Sequence, residues 1–418
     1  MANYNNKYDR PSMGGVDITK VLIIIVLSVV LLVSGIVGGF FLGRGKADGS
    51  GGNPPSGQGP GGNGGGGNGG NGGGGNGGGN GGGGNGGGGE SLTGDTSPQG
   101  AVDRFQSYIS EEQYNQLFLH RYGVGGAQGD MDFFTYKSLL EAIYHSARFM
   151  VRLEYNPGRA YATRYTRIDK VSGEEYQINT PAEFDPNGTV IKSETDLGAF
   201  LMADDANDRE RELAGFFANI SHETTGGWAT APDGRFSWGL CWREEDGYAD
   251  GGNLGYVDAS SADYPPTPGK SYHGRGPIQL SWNFNYGLVS GIVYGDKKVL
   301  LDDPSRVING DFDLFTEQGS LAFETGILFW MMPQPPKASC SDVMSNRYVL
   351  TDADKAKGFE LGFGLSIIII NGGLESGQGE FGGGQVEDRV GYYRRYAGIL
   401  GANIEGEKVD TLGMQSWV

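Results

Sequence analysis

Residues 209–245, RERELAGFFANISHETTGGWATAPDGRFSWGLCWREE, combine a strong helical pattern with a long segment that does not repeat. In the first third, apolar residues recur at positions i, i+3, i+4 and i+7, the spacing of one face of an α-helix. The remainder is interrupted by Gly, Pro and Asp and predicts a loop. We therefore expect a buried helix that leads into an irregular segment, a type of segment that is often functional. The apolar residues of the helix are Leu213, Phe216, Phe217 and Ile220.

The first candidate catalytic group is Glu223, at the end of this predicted helix. It follows Ile220 by three residues and so leans toward the apolar face. Loss of water there favours the neutral carboxyl, which suits a proton donor at mild pH. The alternative is a helix-end Glu that is satisfied by a nearby Arg or by backbone donors. His222 begins a zinc-binding H-E-x-x-H pattern, but Gly226 stands where the second His is required.

Two further acids, Glu244 and Glu245, end the stretch in a loop that is rich in aromatic residues. Aromatic faces stack on sugar rings, and carboxylates bind hydroxyls or transfer protons, so this composition favours a sugar-binding cleft. The alternative is a pair of acids on a solvated surface. The aromatic residues are Trp228, Phe236, Trp238 and Trp242.

Residues 274–287, GRGPIQLSWNFNYG, form another dense segment. Amide and hydroxyl side chains alternate there with aromatic ones, a chemistry that suits a neutral polar ligand. The alternative is a loop that uses these groups to satisfy its own backbone. The polar side chains are Gln279, Ser281, Asn283 and Asn285, and the aromatic ones are Trp282, Phe284 and Tyr286.

Helical periods dominate the remaining sequence, so the predicted fold class is mainly α with long loops. A strongly apolar helix at 321–332 ends before Pro333, and a final helix at 386–400 ends before Gly401. Segment 152–190 alternates more and predicts a small hairpin. Further helices are expected at 112–122 and 134–151, and long loops at 229–239 and 246–276.

The chain has 418 residues, 78 of them Gly, and a net charge of −18 at pH 7. A protein this acidic binds polyanions poorly, which argues against nucleic acid as a partner. Four widely spaced His and two Cys without a C-x-x-C pair give no metal-ligand spacing. The sequence therefore indicates no metal or organic cofactor. It leaves Cys241 and Cys340 open between one disulfide and two free thiols.

The N-terminal part predicts a membrane anchor and a linker. Residues 21–42 carry no charged side chain and are long enough to cross a bilayer as a helix. The alternative is a cleaved signal peptide, whose apolar region is normally shorter; cleavage would make the protein secreted. The flanking charges favour a cytoplasmic N-terminus, which places the folded part outside the cell or in a lumen. The resulting division is a tail at 1–20, a transmembrane helix at 21–43, a disordered Gly/Asn-rich linker at 44–98 and a folded domain at 99–418.

Several blocks of the sequence together resemble the glycoside hydrolase family 19 chitinases, in the same order along the chain. The resemblance covers roughly residues 105–401. It implies a bilobal, lysozyme-like catalytic domain that hydrolyses β-1,4 bonds between N-acetylglucosamine units with inversion. The blocks are residues 221–245, YHGRGPIQLSWNFNYG at 272–287, FWMMPQPPKASC at 329–340, IINGGLE at 369–375 and DRVGYYRRYAGILG at 388–401.

The resemblance also implies roles for individual residues. Glu223 would be the general acid, and Glu245 rather than Glu244 would be the general base. Ser281 would help to hold the attacking water. An inverting enzyme needs its two carboxyl groups about 6.5–9.5 Å apart, and a helix end facing a loop can supply that gap.

A charge network around the acid is implied as well, formed by Glu375 and Arg389. Arg389 alone would favour ionised Glu223, so burial and Glu375 would have to offset that effect. The implied sugar-binding positions are Gln279, Asn285, Lys337 and Asn371, and the loop aromatics Trp228 and Trp242 are added from composition.

The sequence departs from the family pattern without losing a catalytic group. Phe284 stands where the family usually has Tyr, and His273 replaces the second of two Tyr before GRGP. Several family disulfides are missing, and the cleft loop at 246–271 contains no Cys, so we expect it to be more mobile. Segment 152–190 is longer than in the plant-type enzymes.

Two sequences fit the pattern for N-glycosylation, at Asn187 and Asn219. The first lies in a predicted loop and is accessible there. The second lies on the packed helix just before Glu223, where we do not expect a glycan.

Taken together, the sequence predicts a membrane-tethered endochitinase that acts as a monomer on chitin or chitooligosaccharides. One alternative is a surface protein that binds chitin without cleaving it. A second alternative is a hydrolase of another N-acetylhexosamine polymer of the peptidoglycan type.

Overall fold

The computed structural model describes residues 94–122 and 132–417. Within them the fold is mainly helical, with one small antiparallel sheet and several long loops, which confirms the predicted class. The bilobal, lysozyme-like arrangement stays a prediction. The helices are α1 (Pro98–Tyr108), α2 (Glu111–Leu117), α3 (Tyr136–Ser146), α4 (Ala206–Glu223), α5 (Asn283–Tyr294), α6 (Val299–Asp302), α7 (Arg306–Asn309), α8 (Ser320–Met331), α9 (Cys340–Met344), α10 (Asp352–Ala356), α11 (Phe363–Glu375) and α12 (Gln385–Leu400). The strands are β1 (Phe149–Tyr155), β2 (Arg164–Asp169), β3 (Glu175–Gln177) and β4 (Ile191–Asp196).

Helix α4 lies at the centre of the core and packs against α9, α11 and α12. Asp205 caps its start by accepting hydrogen bonds from the backbone of the first turn. All residues from 211 to 221 are buried, so the helix is enclosed on every side and not only along its predicted apolar face. Gly215 allows this close packing, because a Cβ there would lie 3.0 Å from Met344.

The segment predicted as a hairpin belongs to a four-stranded antiparallel sheet with the order β3-β2-β1-β4. Strand β1 pairs with β2 and β4 and buries Phe149, Val151 and Leu153 against the helical core. The helix predicted at 134–151 is therefore wrong at its end. Helix α3 stops at Ser146, and the alternating apolar residues that follow fit a strand, whose side chains point to opposite faces in turn.

Helix α5 begins inside the segment 274–287, for which the sequence left a self-satisfied loop open as an alternative. The loop conformation extends only to Trp282, and the helix starts at Asn283. The Asn283 side chain forms hydrogen bonds with the backbone of Asp258 and Tyr264. This polar residue therefore anchors the start of helix α5.

The other predicted helices are largely confirmed. Helices α8 and α12 have nearly the predicted bounds, and Gly401 ends α12 with a left-handed φ of 85°. Helix α2 is shorter than predicted and ends at Leu117, because Phe118 leaves the helical conformation. The loops at 229–239 and 246–276 contain a single 3-10 turn, Arg235–Ser237.

The described fold begins a few residues before the predicted end of the linker at residue 98. Ser97 caps helix α1. The carbonyl of Thr96 accepts a hydrogen bond of 2.8 Å from the Lys170 ammonium group, and the carbonyl of Asp95 accepts one of 2.8 Å from Arg104. These contacts fasten residues 95–97 to the sheet and the first helix.

The predicted tail at 1–20, the transmembrane helix at 21–43 and the linker up to residue 93 lie outside the described residues. Of the helices in residues 94–122 and 132–417, none has both the length and the apolar character needed to span a membrane.

Both cysteines are buried free thiols, which decides between the two states that the sequence left open. Burial raises the pKa of both thiols, that of Cys241 to about 12. Neither thiol is therefore a reactive group at neutral pH.

Candidate active site

Glu223 is the last residue of α4, and its carboxyl is largely buried. Its Oε1 accepts a hydrogen bond of 2.6 Å from Nη2 of Arg389 on α12. Thr224 ends the helix, and its hydroxyl donates back to the carbonyl of Ile220. The carboxyl is thus held where the helix opens into the loop.

Arg389 is fully buried and binds three side chains at once. Nε and Nη2 donate to the two carboxylate oxygens of Glu375, each at 2.9 Å, and Nη1 donates to Oδ1 of Asn219 at 3.0 Å. Burial alone would lower the pKa of Arg389, but Glu375 and Glu223 raise it above its ordinary value. The guanidinium is therefore a permanent positive charge with a fixed direction.

Glu375, at the end of α11, is the fully buried carboxylate of this network. Burial would raise its pKa, but the charge and hydrogen bonds of Arg389, together with His222 and Asn371, bring it below the ordinary value. Asn371 donates to Glu375 Oε1 at 2.7 Å from a non-helical kink inside α11. The predicted sugar-binding amide is thus partly engaged in holding Glu375.

The network binds Glu223 and Glu375 unequally. One guanidinium charge faces two carboxyl groups. Glu375 receives two hydrogen bonds from Arg389 and one from Asn371, whereas Glu223 receives one. Of the pair, Glu223 is also the carboxyl that is partly accessible.

A second ion pair lies beside the first and was not found from the sequence. Nδ1 of His222 contacts Asp388 Oδ2 at 2.8 Å, and Arg235 contacts the other oxygen of Asp388 at 2.7 Å. The sequence indicated His222 only as the start of an incomplete zinc-binding pattern. Its partner lies 166 residues away on α12, and no local pattern links the two.

The loop that carries Glu245 is fastened to the end of α4. The carbonyl of Thr224 accepts hydrogen bonds from the backbone N–H groups of Cys241 and Trp242, at 3.0 and 3.2 Å. The backbone N–H of Leu240 donates to the Thr224 hydroxyl at 2.9 Å. The segment that leads to Glu245 is therefore anchored one residue after Glu223.

Glu245 is held by both its backbone and its side chain. Its N–H donates to the carbonyl of Gly274 at 2.8 Å, and its carboxylate accepts from the Gly274 N–H at 3.3 Å and from the Tyr256 hydroxyl at 2.9 Å. Burial raises the pKa of Glu245, and these hydrogen bonds offset part of that rise. Its greater affinity for a proton suits a general base.

The neighbouring Glu244 differs from Glu245 in its surroundings. A hydrogen bond from His273 and the nearby charge of Arg275 lower the pKa of Glu244, although burial opposes them. Glu244 is thus an ion-paired carboxylate. This contrast agrees with the choice of Glu245 over Glu244 as the candidate base.

The turn that presents Ser281 contains three residues with left-handed backbone. Gly276, Gln279 and Trp282 have φ of 75°, 51° and 73°. Such conformations are uncommon for residues with a side chain and are concentrated at functional sites. Ser281 donates its hydroxyl to the Gln279 carbonyl at 2.9 Å, and Asn285 donates to the Ser281 carbonyl at 2.9 Å.

Three further predicted binding residues are Trp228, Trp242 and Lys337. Trp228 is 45% exposed and packs at 5.0 Å against Trp238, and Trp242 is partly buried beside its backbone bonds to Thr224. Lys337 donates to the carbonyl of Ile369 at 3.1 Å, close to Asn371, and burial lowers its pKa.

A mainly helical fold that holds Glu223 at a helix end and Glu245 on a loop fastened to that end is compatible with a glycoside hydrolase. Residues 177–411 match the family model described as chitinase class I, of glycoside hydrolase family 19. The chain belongs to this family.

Two relatives illustrate the similarity. Basic endochitinase B of Arabidopsis thaliana is 45% identical over 219 residues, covering 52% of this chain and 60% of that protein. An endochitinase of Brassica napus is 42% identical over 227 residues, covering 54% and 65%. The chain therefore spans less than two thirds of the length of these relatives.

Solved structures of similar proteins include chitinase C from Streptomyces griseus, with 25% identity and a TM-score of 0.43 over 72% of this chain and 80% of that one. A class IV chitinase from Zea mays has 24% identity and a TM-score of 0.40, over 71% and 94%.

Proposed function

We propose that this chain is an endochitinase that cleaves β-1,4 bonds within chains of N-acetylglucosamine with inversion of the anomeric carbon. The observation that carries the proposal is the division of roles between two carboxyl groups. Glu223 shares one buried Arg with a better-bound Glu375, and Glu245 is a separate, partly buried carboxylate on an anchored loop. The relatives named endochitinases support the same substrate and the internal mode of cleavage.

In the proposed reaction, Glu223 donates its proton to the glycosidic oxygen as the bond to the anomeric carbon breaks. Glu245 accepts a proton from a water that attacks the opposite face of that carbon. Ser281 assists by holding this water. Two carboxyl groups and a water complete the chemistry, so no cofactor takes part.

The anchoring of the loop keeps the backbone of Glu245 within a short length of chain from the end of α4. Three residues of chain lead from Trp242, bound to Thr224, to Glu245, a reach of about 10 Å at most. An attacking water fits between carboxyl groups about 6.5–9.5 Å apart. Because all these groups belong to one chain, a monomer suffices for activity.

The N-terminal sequence supports a tethered arrangement as part of the proposal. A transmembrane helix at 21–43 would hold the enzyme at a membrane, with the catalytic domain extracellular or luminal. The Gly/Asn-rich linker would give that domain a reach of about 40 Å to an insoluble polymer.

The test is the cleavage of an N-acetylglucosamine hexamer by the full-length chain in detergent, with products and anomers followed by NMR. We expect internal cleavage that releases the α-anomer first. Glu223→Gln should abolish it, because the amide cannot donate a proton. Glu112→Gln, which changes an exposed carboxyl on α2, is the matched control and should keep wild-type activity.

Two outcomes would replace the proposal. Tight binding of the hexamer without cleavage by the wild type would indicate a tethered chitin-binding protein. Cleavage of bacterial cell walls in preference to the hexamer would indicate a hydrolase of peptidoglycan-type polymers.

A further inference from the structure

We propose that His273 is a positioning residue for Glu245 and acts on it through Ser271, Gly255 and Tyr256. The inference deepens the proposed function and rests on it, since it treats Glu245 as the general base. It assigns a purpose to the residue that departs most clearly from the family pattern at this site.

The observation is a buried relay of polar groups behind the base. Nε2 of His273 lies 3.4 Å from Glu244 Oε2, and Nδ1 lies 2.9 Å from the hydroxyl of Ser271. That hydroxyl accepts a hydrogen bond of 2.9 Å from the backbone N–H of Gly255. His273 is 1% exposed and Ser271 is fully buried, so water does not compete for these contacts.

The hydrogen-bond roles within the relay are mutually consistent. The Ser271 oxygen accepts from Gly255, and its own hydrogen has two acceptors, Nδ1 of His273 at 2.9 Å and the Gly255 carbonyl at 3.5 Å; we assign it to the nearer one, Nδ1. The imidazole hydrogen then lies on Nε2, facing Glu244. Burial lowers the pKa of His273, which favours this neutral form, although Glu244 and Asp250 oppose the effect and Arg275 adds to it.

At its other end the relay binds Gly255, which lies in the loop at 246–271. The carbonyl of Gly255 accepts from the backbone of Tyr272 at 3.0 Å, so both backbone polar groups of Gly255 are bound to the segment that carries His273. A Cβ at Gly255 would lie 2.5 Å from the Tyr248 ring, so this glycine is clasped closely. The ring of Tyr248 in turn packs against that of His273 at 5.6 Å.

Tyr256 follows Gly255 and has a left-handed φ of 58°. This conformation is unfavourable for a residue with a side chain, so the surroundings must hold it there. In this conformation its hydroxyl donates to Glu245 Oε1 at 2.9 Å. Residues 246–271 contain no Cys, so hydrogen bonds and packing hold the loop where a disulfide could otherwise do so.

The consequence for the base follows from these contacts. The polar groups facing Glu245 are the Tyr256 hydroxyl and the Gly274 N–H, with the Tyr248 phenol nearby. The hydrogen bond from Tyr256 lowers the pKa of Glu245. Loosening of the loop would remove this bond and raise the pKa, so the base would become protonated at higher pH.

The experiment compares full-length wild type, His273→Phe, Ser271→Ala and Tyr256→Phe. His273→Phe keeps a ring against Tyr248 but cuts the relay, and Ser271→Ala cuts the relay without touching the imidazole. Both should lower kcat/KM for the hexamer on the order of tenfold, a typical loss when a residue that orients a functional group is removed. In both, the acidic limb of the kcat/KM profile should move to higher pH.

Tyr256→Phe should move the same limb in the same direction. The double variant His273→Phe with Tyr256→Phe should add little to Tyr256→Phe alone, because both changes remove one interaction. His273→Gln retains a donor and an acceptor and should restore part of the activity. Lys137→Ala, which breaks a surface pair with Glu317 outside this loop, is the control and should leave the limb in place.

The proposal is overturned if Tyr256→Phe moves the acidic limb while both relay variants leave it unchanged, even if they unfold more easily. It is also overturned if Tyr256→Phe itself has no effect on the limb. A readout independent of turnover is the carboxyl ¹³C titration of Glu245, assigned with Glu245→Gln. An inactive wild type would contradict the proposed function, whereas the titration would still decide the role of His273.

Discussion

At the scale of single residues, the central feature of the site is the buried guanidinium of Arg389, which binds several side chains. Arg389 is bound to Glu375 by two hydrogen bonds, to Asn219 by one and to Glu223 by one. Glu375 is fully buried and binds the guanidinium more extensively than Glu223 does. The charge that Arg389 presents to Glu223 therefore depends on a carboxylate that is itself inaccessible to solvent.

We expect Glu375→Gln to extend the pH range in which Glu223 is ionised. The full charge of Arg389 would then act on Glu223, which would lose its proton at lower pH, and the basic limb of the kcat/KM profile would move to lower pH. A displacement of one pH unit would reduce activity about tenfold at pH values above the limb. The measurement is the pH dependence of hexamer cleavage.

The matched control for this variant is Glu380→Gln. Glu380 also pairs with an Arg 14 residues further along, Arg394, but that pair lies at the surface. It should leave the profile unchanged. A basic limb that stays in place in Glu375→Gln would show that Glu375 has no influence on the acid.

A second residue-scale prediction concerns Glu212, which is fully buried on α4 with one oxygen bonded to Ser341 and Trp330. Burial raises its pKa to about 7. The folded protein thus holds a proton that the unfolded chain releases above about pH 4.5, so stability decreases as the pH rises from there toward 7.

Glu212→Gln mimics the protonated carboxyl and removes this dependence. We expect the variant to match wild type at pH 4.5 and to be more stable by roughly 1–3 kcal/mol at pH 8. Thermal unfolding of both proteins at the two pH values measures the difference. Equal midpoints at pH 8 would contradict the prediction.

At the scale of secondary-structure elements, helix α12 supplies Arg389 and Asp388 to the site and packs along α4. Its approach to the loop at 229–239 depends on Gly391. A Cβ at that position would lie 2.0 Å from the Phe236 ring, which belongs to the 3-10 turn of the loop. The loop can therefore settle on the helix only if this position has no side chain.

We expect Gly391→Ala to destabilise the protein by about 1–3 kcal/mol, because the ring of Phe236 must move away from a well-packed position. The matched control is Gly398→Ala on the same helix, where a Cβ would meet no atom within 4 Å. That variant should gain up to about 1 kcal/mol from helix propensity. Denaturant unfolding of the two variants distinguishes them, and equal losses in both would contradict the packing argument.

Elements with a local signal were predictable from the sequence, and contacts between distant segments were not. The apolar spacing before Ile220 and the stop at Gly401 indicate helices α4 and α12, because each pattern lies within a few turns. The sheet was underestimated, since β1 and β4 pair across about 40 residues of chain. A short alternating run does not reveal its partner.

The candidate site shows the same difference between local sequence patterns, which were predictable, and contacts between distant segments, which were not. Glu223 and Glu245 were identified from a continuous motif and its resemblance to a family. The relay behind Glu245 was not, because His273 and Ser271 bind Gly255 from a different part of the loop. Trp282 and Gln279 contribute through backbone conformation, which residue identity alone does not specify.

At the scale of the whole molecule, the two glycosylation patterns offer a test of the proposed extracellular or luminal placement of the folded domain. Asn187 is exposed in a turn, and its N–H is bound to Asp185. Asn219 is fully buried, donates to the carbonyl of Gly215 and accepts from Arg389. A folded chain can therefore carry a glycan at the first position and not at the second.

We expect the full-length chain, made in a eukaryotic cell with its N-terminal segment, to gain one glycan at Asn187. Treatment with an endoglycosidase should reduce its mass by one glycan, and Asn187→Gln should abolish the shift. Asn115→Gln, at an exposed Asn outside any glycosylation pattern, is the control. An unmodified wild-type chain would contradict the proposed luminal or extracellular placement.

The hydrogen bonds from residues 240–242 to Thr224 have a consequence for how members of this family can diverge. They close residues 225–239 into a loop whose two ends meet at Thr224, so Glu223 and the segment that leads to Glu245 lie on either side of its base. Residues added to or removed from the tip at 229–234 would reshape the surface beside Trp228 without changing these hydrogen bonds. Under the proposed mechanism, mutations in the tip could alter the substrate range while both candidate catalytic carboxyl groups keep their attachment to the fold, and an engineer could graft new tips onto this base.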